Sequence, residues 1–165
     1  MATRAATADD AEVIAAIYNH YIAHTVITFE EALVDAAEMR SRIQSIQTEF
    51  PYLVHEDRSE NNGAVTGFAY ATQWRPRSAY RHAVETTIYL RPATGGRGIG
   101  SELYGALIKA LREGGFHSAM AGIALPNPAS VVLHKKLGFE KVAHFKQVGF
   151  KFEQWIDVGY WQLML

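Results

Sequence analysis

Residues 83–111 read AVETTIYLRPATGGRGIGSELYGALIKAL, and the order of residue types along this stretch decides the fold. Ala83 to Leu90 is rich in β-branched and aromatic residues and is closed by Pro92, which reads as a strand. Ile99, Leu103, Leu107 and Leu111 recur every fourth residue, the apolar stripe of a helix that ends at Gly114-Gly115. Between them lies the run Gly95-Gly96-Arg97-Gly98-Ile99-Gly100-Ser101. A strand, glycine loop and helix in this order gather backbone N–H groups at the positive end of a helix dipole, a place suited to phosphate or pyrophosphate. The same glycines would also serve a tight turn that needs positive φ, so the loop alone leaves the ligand open.

Two phosphate-binding patterns do not fit. A P-loop needs Lys followed by Ser or Thr after its last glycine, and Ser101-Glu102 follows here. The dinucleotide fingerprint needs a third Gly where Ser101 stands, and an acid on the next strand to hold a ribose; Ala119 to Leu125 has none.

Working outward, Thr7 and Asp10 resemble a capping box with Asp in place of Glu, and Val13, Ile14, Ile17 and Tyr21 share the face of a first helix that runs to about His20. From Asp35, Met39, Ile43, Ile46 and Phe50 trace a second helix that Pro51 stops. Tyr52 to Glu56 and Ala64 to Trp74 read as a hairpin with its tip at Asn61-Asn62-Gly63. Downstream, Ser118 to Leu125 is a strand, Pro128 to Leu137 a helix capped by Gly138, and the tail from Lys141 is aromatic and β-rich. The order β, α, α, β, β, β, α, β, α, β, β predicts an α/β (α+β) sheet of mixed direction, as one domain over residues 1–165. The aromatics Phe145, Phe150, Phe152, Trp155, Tyr160 and Trp161 are expected in the sheet core and at a dimer contact.

The chain has 165 residues, 48% of them hydrophobic, a net charge of -1 and no cysteine. Cysteine-based catalysis, disulfides and Cys zinc sites are thereby excluded, and a cytoplasmic protein is expected. The near-neutral charge gives no basic field for nucleic acid or anionic membrane, and no apolar run is long enough to span a bilayer. His20 and His24 have metal-ligand spacing, but no third ligand is fixed by the sequence, and no metal is expected.

Glu85 is a carboxylate in an otherwise apolar strand, out of place unless its face opens on a cavity. It is the candidate general base for an amine; an edge-strand Glu facing solvent is the plainer alternative. Trp74 to His82 form a compact basic and aromatic loop. Arg75 and Arg77 could hold a carboxylate or phosphinate by paired N–H donors, with Trp74 and Tyr80 as walls, or the loop could be a solvated turn.

The loop at Gly98 and Gly100, followed by Asn127-Pro128-Ala129-Ser130 and the closing Leu137-Gly138-Phe139, resembles the two signatures of the GCN5-related N-acetyltransferases (GNAT). Gly95 falls where that family has Gln or Arg. Further stretches, among them Thr28-Phe29-Glu30, Trp74 through Tyr80, Val84-Glu85 and Val148 through Phe152, are similar to the phosphinothricin and methionine-sulfoximine acetyltransferase branch. The resemblance implies a mostly antiparallel central sheet flanked by helices, acetyl-CoA as co-substrate, a small amino-acid-like amine as substrate, and a homodimer. It implies that Gly96, Arg97, Gly98, Ile99, Gly100 and Ser101 hold the pyrophosphate, that Asn127 bonds the pantetheine arm, and that the backbone of Ile88, Tyr89 and Leu90 polarises the thioester. Lys136 is a further candidate for the CoA phosphates. Glu85 and His134 take the catalytic positions, His134 as an acid or relay with a pKa near neutrality, although a buried His is more often a packing residue. Phe29, Arg75, Arg77, Tyr80, Glu85, Thr87 and Tyr89 surround the substrate. Two other readings remain at this point: a protein N-terminal or lysine acetyltransferase of the same fold, and a non-catalytic acyl-CoA-binding module suggested by Gly95.

Overall fold

The computed structural model describes residues 2–57 and 63–165. The elements are β1 (Ala2–Ala5), α1 (Ala11–His24), α2 (Ala36–Gln47), β2 (Tyr52–Asp57), β3 (Ala64–Gln73), β4 (Ala83–Leu90), α3 (Ile99–Glu113), β5 (Ser118–Leu125), α4 (Pro128–Lys136), β6 (Glu140–Lys151) and β7 (Gln154–Met164). Their order is the expected one. The strands form a seven-stranded sheet in the order β1-β2-β3-β4-β5-β7-β6. Every neighbouring pair is antiparallel except β4 and β5, which are parallel. Parallel neighbours need a crossover, and α3 with its glycine loop supplies it.

Alternation along the strands separates two cores. Phe68, Val54 and Tyr52 pack with Ile14, Ile17, Tyr18, Met39 and Ile43 under α1 and α2. Ala69, Ala71, Val84, Ala119 and Ala121 pack with Leu103, Tyr104, Leu107 and Leu111 of α3, and Leu133 of α4 joins them. The α3 stripe read from the sequence is therefore the spine of the second core: Leu103, Leu107 and Leu111 are fully buried. Truncating any one of them to Ala costs about 2–5 kcal/mol.

Several boundaries move. The first helix runs to His24 rather than His20, because Tyr21 and Ile22 continue its inner face and the Thr25 hydroxyl caps it by donating to the Tyr21 carbonyl. The Asp10 carboxylate accepts from the Thr7 N–H at 2.7 Å, as the capping box requires, but it closes a short 3-10 turn ahead of α1. The second helix stops at Gln47, and Phe50, read as its last apolar position, instead stacks on Phe116 with centroids 5.7 Å apart. The hairpin tip at Asn61-Asn62 lies outside the described residues. The tail divides: Trp161 is core, while Phe145, Phe150, Phe152 and Trp155 are exposed on the last hairpin. Among the described residues β6 is an edge strand of the sheet.

Candidate active site

β4 and β5 pair only from Ala83↔Ser118 to Glu85↔Met120 and then separate. The remaining five residues of β4 diverge from β5, and a cleft opens between the strands. Its inner end, about 80 Å³, is lined by Thr86 to Tyr89, Gly122 to Ala124, Asn127 and His134. Its outer end, about 290 Å³, runs past Leu90, Gly95, Asn127, Ala129 and Leu133 toward the glycine loop.

The direction of the β4 backbone follows from its end bonds. The Trp74 N–H donates to the Ala83 carbonyl at 3.1 Å, and the Arg91 N–H donates to the Thr66 carbonyl at 2.8 Å. Odd-numbered positions therefore bond to β3, and Ile88 and Leu90 turn their backbone groups into the cleft. Tyr89, expected as a third backbone donor, does not; its ring lines the cleft instead. The Leu90 carbonyl is held by the Tyr21 hydroxyl at 2.7 Å, which fixes the free end of β4.

The glycine loop fits an anion. Gly96 and Gly98 have φ of +80° and +81°, and Gly98 is the N-cap of α3. Among the described residues beyond the loop's own chain neighbours, nothing lies within 4 Å of where a Cβ would stand on Gly95, Gly96 or Gly98. Gly100 is closely approached: a Cβ there would meet Leu133 at 3.3 Å and Leu90 at 3.5 Å. Ile99 is buried beneath the loop and Ser101 lies in the first turn of α3. Asn127 caps α4, its side-chain oxygen accepting from the Ser130 N–H at 3.2 Å, so its amide nitrogen is not committed to the cap. Two expected phosphate contacts change. Arg97 bonds back to the buried Asp57 at 2.5 Å, and Lys136 is exposed at the far end of α4, outside the cleft lining.

Glu85, Thr87 and Tyr89 share the α1/α2 face of β4. Glu85 is half-buried at the point where the strands part. Burial pushes its carboxyl above the usual range, while the Arg75 charge and a hydrogen bond from the Tyr160 hydroxyl pull it back. The side chain of Thr87 bonds Tyr70. Arg75, Pro76, Arg77 and Tyr80 line an open pocket of about 320 Å³, with the Arg75 guanidinium 4.0 Å over the Trp74 ring and Trp74 edge-on to Tyr160. Phe29 is not among the cleft-lining residues; its ring sits on Gly149 of β6, where a Cβ would collide with it.

His134 lies behind the cleft on the α3/α4 side. Its Nδ1 is 2.7 Å from the Ser130 carbonyl, which can only accept, so Nδ1 carries a proton. Nε2 faces the Tyr104 hydroxyl at 3.0 Å, and Tyr104 faces the Thr86 hydroxyl at 2.6 Å. Burial lowers the His134 pKa, with the Ser130 bond opposing. The shift favours the neutral ring, and His134 ends a hydrogen-bond chain that starts at Thr86. Tyr160, Tyr104 and Thr86 had no local sequence signal.

Among the described residues no three His, Cys, Asp or Glu side chains are placed to hold a metal. No helix is long and apolar enough to cross a membrane.

Among the described residues the sheet splits at its one parallel pair, with the glycine loop at one end of the split and a half-buried carboxyl at the other. Residues 3–159 match the family model for the acetyltransferase (GNAT) domain, and the chain belongs to the GNAT acetyltransferase family. It is 39% identical over 166 residues to the L-methionine sulfoximine/L-methionine sulfone acetyltransferase of Salmonella typhimurium, covering 100% of this chain and 95% of the relative. It is similar to the structure of a phosphinothricin acetyltransferase from Sinorhizobium meliloti in complex with acetyl-CoA, with a TM-score of 0.94 and 39% identity over 99% of this chain and 88% of that one. It is equally similar in fold, at a TM-score of 0.94 and 36% identity over the whole of both chains, to a Brucella melitensis structure described as a ribosomal-protein-alanine N-acetyltransferase.

Proposed function

We propose that this enzyme moves the acetyl group of acetyl-CoA to the α-amino group of a small amino-acid analogue of the phosphinothricin, methionine sulfoximine or methionine sulfone type. The observation that carries the reading is Glu85 at the apex of the split, with the Arg75–Arg77 pocket nearby.

Acetyl-CoA supplies an activated thioester acyl group. Gly96, Gly98, Gly100 and the N–H groups opening α3 cradle its pyrophosphate, and the Asn127 amide takes the pantetheine arm. The cleft-facing N–H groups of Ile88 and Leu90 polarise the thioester carbonyl. Arg75 and Arg77 hold the substrate carboxylate or phosphinate, and Thr87, Tyr80 and Tyr89 orient the amine. Glu85 takes the ammonium proton through one water, since an ammonium has no lone pair for attack; its raised pKa makes it a stronger base than a free carboxylate. The departing CoA thiolate takes its proton from water, and neutral His134, through Tyr104 and Thr86, orients the hydrogen bonds on that side of the cleft. Thiol release measured with phosphinothricin, methionine sulfoximine and methionine sulfone tests the reading; acetyl-CoA binding without turnover on any small amine contradicts it.

The Brucella structure favours a second reading, acetylation of a protein N-terminus. The paired Arg75 and Arg77 of the Trp74 to His82 loop suit the carboxylate of a free amino acid, which favours the small-substrate reading. Turnover of an alanine-terminated peptide in preference to every amino-acid analogue would select the second reading.

The enzyme is a homodimer in this reading. Val142, Phe145, Val148, Phe150, Phe152 and Trp155 form a band on the last hairpin in which each is at least half exposed, an apolar surface that monomers rarely leave uncovered. Sedimentation at micromolar concentration should give a dimer, and Phe150→Glu a monomer. A cysteine-free chain using acetyl-CoA fits the cytoplasm.

A further inference from the structure

We propose that Asp57 is a positioning residue for the phosphate-binding loop, acting through Arg97; the proposal rests on the acetyl-CoA reading above.

Asp57 is the last residue of β2 and is 1% exposed. An ionised carboxylate at that depth is costly unless it is paired. Arg97, in the middle of the glycine loop, donates to it at 2.5 Å, with 42% of the Arg97 side chain still exposed. One end of the guanidinium is thus fixed to the sheet, while the loop that carries it borders the open space above Gly95, Gly96 and Gly98. The entry to the loop is tied to the same part of the sheet, since Arg91 donates from its backbone to Thr66 and from its side chain to the Val65 carbonyl at 2.7 Å.

A second polar tie lies beside it. His55, two residues back on the same face of β2 and fully buried, holds Thr66 through Nδ1 at 2.6 Å. Among the described residues its Nε2 has no hydrogen-bond partner, and it is 3.8 Å from the Glu102 carboxylate in the first turn of α3. β2 therefore directs two buried polar side chains at the loop and helix start. Packing alone would call for apolar residues there. In a chain with Gly95 at the position of the family's Gln or Arg, an anchored Arg97 supplies a cationic side chain to the same loop.

Electrostatics and positioning predict opposite signs for Asp57→Asn. If the carboxylate were only a negative charge near an anion site, removing it would tighten CoA binding. If it holds Arg97 and the loop in place, removing it weakens binding. The experiment titrates CoA calorimetrically into the full chain and its Asp57→Asn, Arg97→Gln and double variants, and compares turnover of acetyl-CoA with that of S-acetyl-pantetheine, which lacks the phosphates.

Each single variant should weaken CoA about tenfold, the range of a charged hydrogen bond. The double variant should be no weaker than the worse single one. The kcat/KM for S-acetyl-pantetheine should be unchanged. Unchanged or tighter CoA binding by Asp57→Asn, additive losses, or an equal loss with S-acetyl-pantetheine would overturn the proposal. Should Asp57→Asn fail to fold, the half-exposed Arg97→Gln decides alone by the same two thioesters. Wild-type protein that binds CoA but turns over no amine would sink the acetyl-transfer reading and leave this binding test standing; wild-type protein that binds no CoA would overturn both.

Discussion

Glu85 and Met120 form the last pair between β4 and β5. Before that pair the strands share a ladder, and after it the backbone of Ile88 and Leu90 faces a cleft. The candidate base thus stands where the sheet stops being continuous, which is why a carboxylate is tolerated in an apolar strand.

The Tyr160 hydroxyl and the Arg75 charge both lower the Glu85 pKa against the upward push of burial. Tyr160→Phe removes one of these and should move the acidic limb of the kcat/KM profile to higher pH, because the base then protonates more readily. A pH profile of the variant beside wild type measures this. A limb that stays in place or moves toward acid would remove Tyr160 from the account.

The same burial has a stability consequence. A carboxyl whose folded pKa exceeds its unfolded value binds protons more tightly when folded, so stability is lost as pH rises through that window. Glu85→Gln should therefore be slightly more stable than wild type near pH 7, and no more stable near pH 3. Glu85 is only half-buried, so solvent screening holds the gain to about 0.5 kcal/mol. Thermal melts at the two pH values check the sign.

Arg75→Ala and Arg77→Ala should each raise KM for an amino-acid substrate roughly tenfold, the size of a charged hydrogen bond. An amine without a carboxylate should show little change. Equal effects on both substrates would make the loop a scaffold rather than a carboxylate site.

In the proposed mechanism His134, with burial favouring its neutral form and Nε2 accepting from Tyr104, orients the Tyr104–Thr86 chain rather than serving as a standing acid. The CoA thiolate is a good leaving group, and His134→Ala should slow turnover less than Glu85→Gln does. Tyr104→Phe, which breaks the chain to Thr86 with almost no change of volume, should slow it by a similar or smaller factor than His134→Ala. Turnover rates of the three variants, with the order of Glu85 and His134 reversed, would undo the base assignment.

The legible parts were those written in local pattern. The α3 stripe, the strand before it and the glycine loop follow from spacing, whereas the splitting of β4 from β5 after Glu85 has no local signal. The helix ends were less legible, because Thr25 caps α1 through a hydroxyl that sequence does not distinguish from any other Thr. At the site, Glu85 was visible as a misplaced charge. Tyr160, Tyr104, Thr86 and Asp57 were not, since each acquires its role from a partner 18 to 75 residues away. Which of the tail aromatics would be core and which exposed was not legible: an alternating aromatic strand reads the same whether its apolar face meets a core or open surface.

The most direct test is the Glu85→Gln variant, assayed for turnover of methionine sulfoximine and, in parallel, for CoA affinity by calorimetry. Loss of a general base should cut kcat by about 10²–10⁴-fold, with the CoA Kd unchanged. A variant that keeps wild-type turnover, or that loses turnover only because it no longer binds CoA, would contradict the assignment of Glu85 as the group that frees the amine.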